Sequence, residues 1–284
     1  MQKNVFKYYV ATLAFIAMAG AIIQKYHFDH ANEKADTVYG RVMRTGILRC
    51  GYIAWQPFIM KEPNTGKLSG LSYDFFEALG KTLGIKIEWQ QEVLVGQQVT
   101  DLNLGKIDAV CGDWPLNSVT AKYVDYTAPF VFMPMYLYEK RDGKTFNGMS
   151  DINDPAVSIS AMDGDISLMV AEEKFPNAKK VTIPDNADPT LINVNVAQGK
   201  ADLVANDPFS LSYYNANNKV KLVPVLSAQP LIVLKTGGSV KKGEVDFVRM
   251  LNEGIEMLIA SGGADAILDK YDPEKNMLKR VRLF

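Results

Sequence analysis

The sequence predicts an α/β protein with two lobes, each a mostly parallel sheet flanked by helices. Short apolar segments alternate with helical patterns from Gly46 onwards, which is typical of parallel strands joined by crossover helices. The 284 residues are enough for two domains of ordinary size. A Gly-Lys-x-Asp unit also occurs twice, ending at Asp108 and at Asp202, which suggests one supersecondary unit used once in each lobe.

Each element is predicted from its periodicity and its end signals. The first half alternates apolar strands with amphipathic helices, the second half repeats the alternation, and two long helical patterns close the chain. Strands are predicted over 47–52, 85–90, 107–111, 157–160, 178–183 and 201–205, and helices over 72–83, 97–104, 166–174, 187–198, 208–216, 243–260 and 263–271.

The N-terminal segment is predicted to direct the chain out of the cytoplasm. Residues 1–23 have a basic start followed by an uncharged apolar stretch, the pattern of a signal peptide, with an uncleaved membrane anchor as the alternative. Residues 24–43 are interpreted as a polar tether. Within it, His27, Asp29 and His30 could touch a metal, but a solvated linker is the simpler interpretation because no rigid element fixes their geometry.

Composition excludes several classes of function. Lys and Arg number 31 against 32 Asp and Glu, so nucleic acid is not expected as a partner. The only two histidines lie near the N-terminus, which leaves the globular body without histidine catalysis. Two cysteines cannot form a disulfide scaffold or a cysteine-rich zinc site. No phosphate-binding glycine loop is present, and no cofactor or metal is predicted.

The repeated unit also predicts where a ligand binds. In each copy a helix ends at a glycine, a strand follows, and an aspartate comes just after the strand, as Asp113 and Asp207. Ligands of open α/β sheets bind at the carboxyl ends of strands, so two such edges could enclose a ligand between the lobes. The alternative is that both aspartates only cap the next helix, since Pro208 follows Asp207 at a typical first helical position.

At the level of whole segments, the body resembles the bacterial extracellular solute-binding proteins of family 3, the receptors of amino-acid-type ABC transporters. The resemblance covers about residues 44–272 and depends on the order and spacing of its segments. They are Gly46–Gly51, Trp55-Gln56-Pro57-Phe58, Gly66–Asp74, Leu83–Glu88, Leu104–Val110, Val124–Phe130, Gln198–Asp202 and Leu251–Glu256.

The resemblance implies a type II periplasmic-binding-protein fold, in which two strands join the lobes and the C-terminus completes the first one. The crossings would fall near 135–138 and 226–232, so that the first lobe comprises 44–135 and 228–284 and the second 136–227. It also implies a periplasmic or other extracytoplasmic receptor that closes on a small polar solute by hinge bending. The expected partners are the permease subunits of an ABC importer, with membrane contact only through the N-terminal segment.

The resemblance further implies a set of ligand-binding residues. Trp55 matches an aromatic ring that stacks on the ligand, although it could instead plug the core. Asp207 matches an aspartate that pairs with the ligand's ammonium group. Asp165 could face the cleft or cap the helix that follows it. The full set of expected ligand-binding residues is Trp55, Gly112, Asp113, Trp114, Thr120, Asp165 and Asp207.

One departure from the family pattern changes the expected ligand. The family's Thr-x-x-Arg motif supplies a guanidinium that binds an α-carboxylate, but Asn117 and Thr120 stand at those positions. Lys122 is not an equivalent, because a nearby amine does not replace a planar fork of donors. The hypothesis is therefore a cationic ligand, such as an amine, polyamine or quaternary ammonium. A zwitterion stays open, because a helix starting near Asn117 could offer backbone N–H groups to a carboxylate.

Two further questions stay open at the level of sequence. The family's sheet order could bring Cys50 and Cys111 within disulfide distance, or they could be buried free thiols. We expect a binding protein rather than an enzyme. The alternatives are a dehydratase-like enzyme of the same fold using Asp113 and Asp207 as acid and base, and a membrane-tethered sensor module.

Overall fold

A computed structural model describes residues 18–20, 22–25, 37–115 and 120–283, and only the backbone of residues 113 and 114. Most of the segment expected to be a signal or anchor, and the His27–His30 group, lie outside these residues. None of the described helices is both long and apolar enough to cross a membrane. No cluster of three or more metal-binding side chains occurs in the described part of the chain.

Helix α1 occupies the C-terminal end of the expected tether over 24–43; it begins at Val38 and ends at Thr45. The Oγ1 atom of Thr37 accepts a hydrogen bond from the Gly40 N–H at 3.0 Å, and Gly46 ends the helix in the left-handed conformation. Cap signals at both ends therefore outweigh the polar composition of this segment.

The remaining elements follow in chain order from residue 47. The strands are β1 Ile47–Tyr52, β2 Met60–Lys61, β3 Leu68–Ser69, β4 Lys86–Glu92, β5 Ala109–Pro115, β6 Val124–Tyr126, β7 Val131–Lys140, β8 Ser158–Met162, β9 Lys179–Ile183, β10 Leu203–Asn206, β11 Leu222–Val225, β12 Ile232–Lys241 and β13 Lys279–Arg280. The helices are α2 Leu71–Leu83, α3 Gln98–Asn103, α4 Met149–Ile152, α5 Ile166–Lys174, α6 Leu191–Ala197, α7 Pro208–Asn217, α8 Val245–Ala260 and α9 Gly263–Tyr271.

The strands form two mostly parallel groups that share two long strands. In the first lobe β1 pairs in parallel with β4 and β5, and β12 joins β5 antiparallel. In the second lobe β8 pairs in parallel with β9 and β10. Strand β7 pairs with β12 through residues 131–135 and with β10 and β11 through 136–140. The fold is thus a two-lobed α/β fold joined by two strands.

The periodicity of the sequence does not predict these connecting strands; only the family resemblance implies crossings, near 135–138 and 226–232. Most of the predicted helices and strands occur within a few residues of their expected ends. β7 and β12 are ten residues each and show no clean alternation, because each changes its sheet partners along its length. Helix α6 is shorter than the predicted 187–198, since Pro189 precedes it and a turn in which Asp188 Oδ1 accepts the Thr190 N–H at 2.9 Å comes before its first residue.

The aspartate of the repeated Gly-Lys-x-Asp unit makes the same type of hydrogen bond in both lobes. The carboxylate of Asp108 accepts the backbone N–H of Arg49 in β1 at 2.7 Å. The carboxylate of Asp202 accepts the backbone N–H of Ser158 in β8 at 2.8 Å. Each aspartate therefore ties the start of its own strand to the neighbouring parallel strand, and the repeat marks equivalent positions in the two sheets.

The C-terminal helices return to the first lobe. A Cβ atom on Gly254 of α8 would lie 2.6 Å from a methyl carbon of Leu79 in α2, so glycine allows the two helices to pack this closely. The hydroxyl of Tyr271 at the end of α9 donates to Asp74 of α2 at 2.7 Å. The chain thus completes the lobe in which it began.

Cys50 and Cys111 form a disulfide bond, with their Cα atoms 5.4 Å apart. The bond joins β1 to β5, which are neighbours in the first lobe. Of the two alternatives that the sequence leaves open, the structure has the bonded one.

Candidate functional site

The loop after β1 presents Trp55 and is fixed by the start of α2. The backbone N–H of Ile59 donates to the Trp55 carbonyl at 2.9 Å, and the Ser72 N–H donates to the Phe58 carbonyl at 2.9 Å. Gly70 has φ +120°, and a Cβ there would lie 2.4 Å from the Phe58 carbonyl oxygen. Only glycine permits this approach, so the loop is held rigidly against the helix.

Asp207 both caps a helix and faces the space between the lobes. It follows β10 and precedes Pro208, and its Oδ1 accepts the Ser210 N–H at 2.8 Å at the start of α7. Asp207 is only 2% exposed and has no salt bridge to any described residue. Burial raises the pKa of this carboxyl, and the hydrogen bonds of the helix turn offset part of that rise.

Asp165 has the same arrangement at the start of α5. Its Oδ1 accepts the Ser167 N–H at 2.8 Å, and burial raises its pKa against the lowering effect of that hydrogen bond. Asp165 and Asp207 therefore each cap a helix and also face the cleft. The positive ends of two helices therefore already carry carboxylates of the chain itself.

A cavity between the lobes brings three of the expected residues together. Trp55, Asp165 and Asp207 all line it, and it is partly open to solvent. Ser167 and Asn206 add polar atoms, and Ile53, Val95, Met133 and Met135 form an apolar wall. A mostly apolar cavity with a few convergent polar groups is typical of a small-molecule site.

The surroundings of this cavity are acidic. A neighbouring cavity shares Ile53 and Val95 with it and adds Glu92, Asp185 and Asp188. Another, on the other side of Asp165, adds Glu172. No lysine or arginine lines any of these cavities in the described part of the chain. Glu92 is the only one of these acids with a salt bridge to a described residue, Lys61 at 2.8 Å.

Trp55 joins the two lobes directly. Its indole Nε1–H donates to Ser210 Oγ at 3.2 Å, so a first-lobe ring contacts the same helix turn that Asp207 caps. The ring is half-buried and also packs against the apolar cluster around Val95. Trp55 therefore lines the cavity and also packs against the core. Both roles that the sequence left open for it apply.

Of the other expected residues, Gly112 and Thr120 do not line this cavity. Gly112 lies in β5 beneath Ile59. The side chains of Asp113 and Trp114 lie outside what the structure describes, as does Asn117. Thr120 lines the outer cavity next to Asp165, and its hydroxyl shares a hydrogen bond with the hydroxyl of Tyr126. Lys122 is exposed and lines none of these cavities.

Sequence reasoning missed Ser210, Ser167 and Asn206. All three lie in or beside the helix starts that Asp165 and Asp207 cap. The sequence contains part of this information, because a capping aspartate followed by Pro208 predicts where α7 begins and so which residues occupy its first turn. The contact of Ser210 with Trp55 spans 155 positions of the chain, and no local pattern encodes it.

Comparisons with known proteins identify the family. The family model for bacterial extracellular solute-binding proteins, family 3, matches residues 48–274. The probable amino-acid-binding protein YxeM of Bacillus subtilis is 23% identical over 218 residues, which are 76% of this chain and 79% of that protein.

Two solved structures have the same fold. The ancestral amino acid-binding protein AncCDT-1, a precursor of cyclohexadienyl dehydratase, has a TM-score of 0.72 at 24% identity, over 83% of this chain and 99% of that one. A putative binding component of an ABC transporter from Wolinella succinogenes, complexed with lysine, has a TM-score of 0.71 at 22% identity, over 80% and 96%. With its family model matched over most of its length, this chain belongs to the bacterial extracellular solute-binding proteins, family 3.

Proposed function

We propose that the protein is an extracytoplasmic receptor that delivers a small amine-bearing cation to an ABC importer. The observation that carries the proposal is a pair of carboxylates, the buried Asp207 and the partly buried Asp165, in one cavity without a basic residue among its described lining. A carboxylate in such a place either takes up a proton or recruits a cation. A bound ammonium group would supply the missing charge.

The helix starts argue against a ligand held mainly through a carboxylate. Backbone N–H groups at a helix N-terminus are a common anion site, but the Ser167 N–H and the Ser210 N–H already donate to Asp165 and Asp207. A ligand carboxylate would meet two like charges there. The ring of Trp55 instead offers a face on which a cation is attracted by roughly 0.5–2 kcal/mol.

The similar structures support a cationic ligand without fixing it. One was solved with lysine, which carries two ammonium groups. Lysine remains a candidate for this chain, with its carboxylate facing away from both aspartates. Amines without a carboxylate fit the described walls better, because nothing in those walls pairs with an anion.

Thermal-shift measurements test the proposal. The protein is unfolded in urea and refolded to remove any solute carried through purification, then melted with putrescine, choline, lysine or glutamate. A ligand at about 100 times its dissociation constant stabilises the folded state by about 2.7 kcal/mol. We expect at least one amine to raise the melting temperature and glutamate to leave it unchanged.

Two variants make the test specific. Asp207→Asn keeps the helix cap but removes the charge, and should abolish the shift with amines. Asp142→Asn removes an exposed carboxylate of the same lobe that lines none of the described cavities, and should respond like the unmodified protein. A shift with glutamate alone, retained in Asp207→Asn, would contradict the proposal.

A dehydratase-like enzyme is the second candidate. Two carboxyl groups with raised pKa in one cavity could also transfer protons, and one similar structure is described as a precursor of a dehydratase. Proton NMR of the amine after long incubation separates the two functions, because a receptor returns its ligand unchanged.

A further inference from the structure

We propose that Phe209 is a positioning residue that holds the two lobes together by docking into an aromatic seat on the first lobe. The seat consists of Phe58, in the loop after β1, and Tyr271, at the end of α9. The inference depends on the two-lobed fold and not on the identity of the solute, so it can fail or succeed independently of the proposed function.

The ring of Phe209 contacts both members of the seat. Its centroid lies 5.0 Å from that of Phe58 with the planes at 86°, and 6.4 Å from that of Tyr271 with the planes at 84°. Both are edge-to-face geometries, which aromatic pairs favour. Phe58 is fully buried and Phe209 is 3% exposed. Since Phe209 belongs to α7 of the second lobe, these contacts can exist only while the lobes are together.

Both members of the seat are fixed within the first lobe. The Phe58 carbonyl accepts the Ser72 N–H at 2.9 Å, and Gly70 lets the loop lie against α2. The Tyr271 hydroxyl donates to Asp74 at 2.7 Å, and Lys270 donates to the same carboxylate oxygen at 2.6 Å. The seat is therefore preformed, and Phe209 is the part that arrives when the lobes approach.

Phe209 also lies where it can affect binding. It stands between Asp207, the cap of α7, and Ser210, the acceptor of the Trp55 indole. Docking of the ring therefore brings Asp207 to the cavity and Ser210 to Trp55 in one movement of the helix start. The truncation of one ring should release all three contacts together.

The expected effect is a change in the balance between closed and open forms. Two edge-to-face pairs favour the docked form by about tenfold in the closed-to-open ratio. Because apparent affinity scales with the fraction of molecules in the binding-competent form, Phe209 would tighten binding of any solute without touching it.

Small-angle X-ray scattering of the refolded, solute-free protein tests this inference. We expect the radius of gyration to increase from the unmodified protein through Phe209→Leu to Phe209→Ala. Tyr213→Ala, which removes a half-buried ring from the same helix, should leave it unchanged. Circular dichroism establishes that each variant is folded.

Tyr271→Ala tests the same contact from the other lobe and decides the matter if Phe209→Ala does not fold. An increase in radius with Tyr271→Ala, or with Phe209→Ala, supports the proposal. Folded variants at both positions with the scattering curve of the unmodified protein would overturn it. So would an equal expansion of Tyr213→Ala, because the effect would then follow from any weakening of α7.

Discussion

Asp108 and Asp202 occupy equivalent positions in the two lobes, yet their surroundings differ. Asp108 is fully buried and also binds the Arg49 guanidinium at 2.7 Å. Asp202 is partly exposed and binds Lys144 at 3.0 Å, and Ser158 donates to it through both its N–H and its hydroxyl. The first lobe additionally has the Cys50–Cys111 disulfide.

This difference indicates that the two lobes have different roles. The first lobe holds the Trp55 loop, the Phe58 and Tyr271 seat, the disulfide, and the ion pair of the buried Asp108 with the partly exposed Arg49. The second lobe contributes both capping aspartates on short helices, α5 and α7. We infer that a rigid first lobe provides the frame and that the second lobe brings the charge to it.

Removal of the first-lobe disulfide should cause the largest loss in the free energy of unfolding. A bond that closes a loop of 61 residues is expected to stabilise the fold by about 4 kcal/mol. Urea unfolding of the Cys50→Ala/Cys111→Ala double variant measures this loss. Reductant should destabilise the unmodified protein to the same extent and leave the double variant unaffected; equal stability of all four samples would contradict the assignment.

Replacement of the two equivalent aspartates, Asp108 and Asp202, should cause the next largest losses in the free energy of unfolding. Asp108→Asn removes a fully buried carboxylate charge that binds the Arg49 guanidinium and should cost about 2 kcal/mol. Asp202→Asn keeps a hydrogen-bonding group at a partly exposed site and should cost about 1 kcal/mol. The two variants are compared by urea unfolding. Equal losses in the free energy of unfolding would mean that Asp108 and Asp202 stabilise their lobes equally, and would contradict the difference between the lobes.

Asp202 also predicts a pH dependence. Burial alone would raise its pKa, but the hydrogen bonds from Ser158 and Lys144 bring the pKa below its usual value. A carboxyl with a lowered pKa stabilises the folded state above its unfolded pKa of about 3.9. This contribution is lost as the pH falls through the folded value, so the stability difference between the unmodified protein and Asp202→Asn should shrink on acidification below pH about 4.

Asp207 should behave in the opposite way and gives the smallest effect on stability. Its pKa is raised by burial, so the ionised carboxylate destabilises the solute-free protein at neutral pH. Asn is an equally good helix cap. Asp207→Asn should therefore raise the solute-free stability at pH 7, measured by urea unfolding. A loss of stability would mean that the charge serves the fold rather than a ligand.

Sequence reasoning predicted the fold well and the site in part. Local signals predict the glycine-terminated helices and the aspartate that follows β10, because caps and periodicity are properties of neighbouring residues. Asp113, expected just after a strand, lies within β5 instead. Periodicity does not predict the connecting strands β7 and β12, since their pairing partners change along their length, and only the family resemblance implies the two crossings. The contacts of Phe209 with Phe58 and of Ser210 with Trp55 also escaped it, because they form only between distant segments.

Isothermal titration of an amine identified by thermal shift tests the central claim most directly. The account predicts binding at pH 7 that weakens as the pH falls and Asp207 takes up a proton, at a pH above the usual aspartate range. The ligand's own ammonium stays protonated throughout. Asp207→Asn should show no binding heat at any pH. Tight binding of glutamate with no response to any amine would contradict the account.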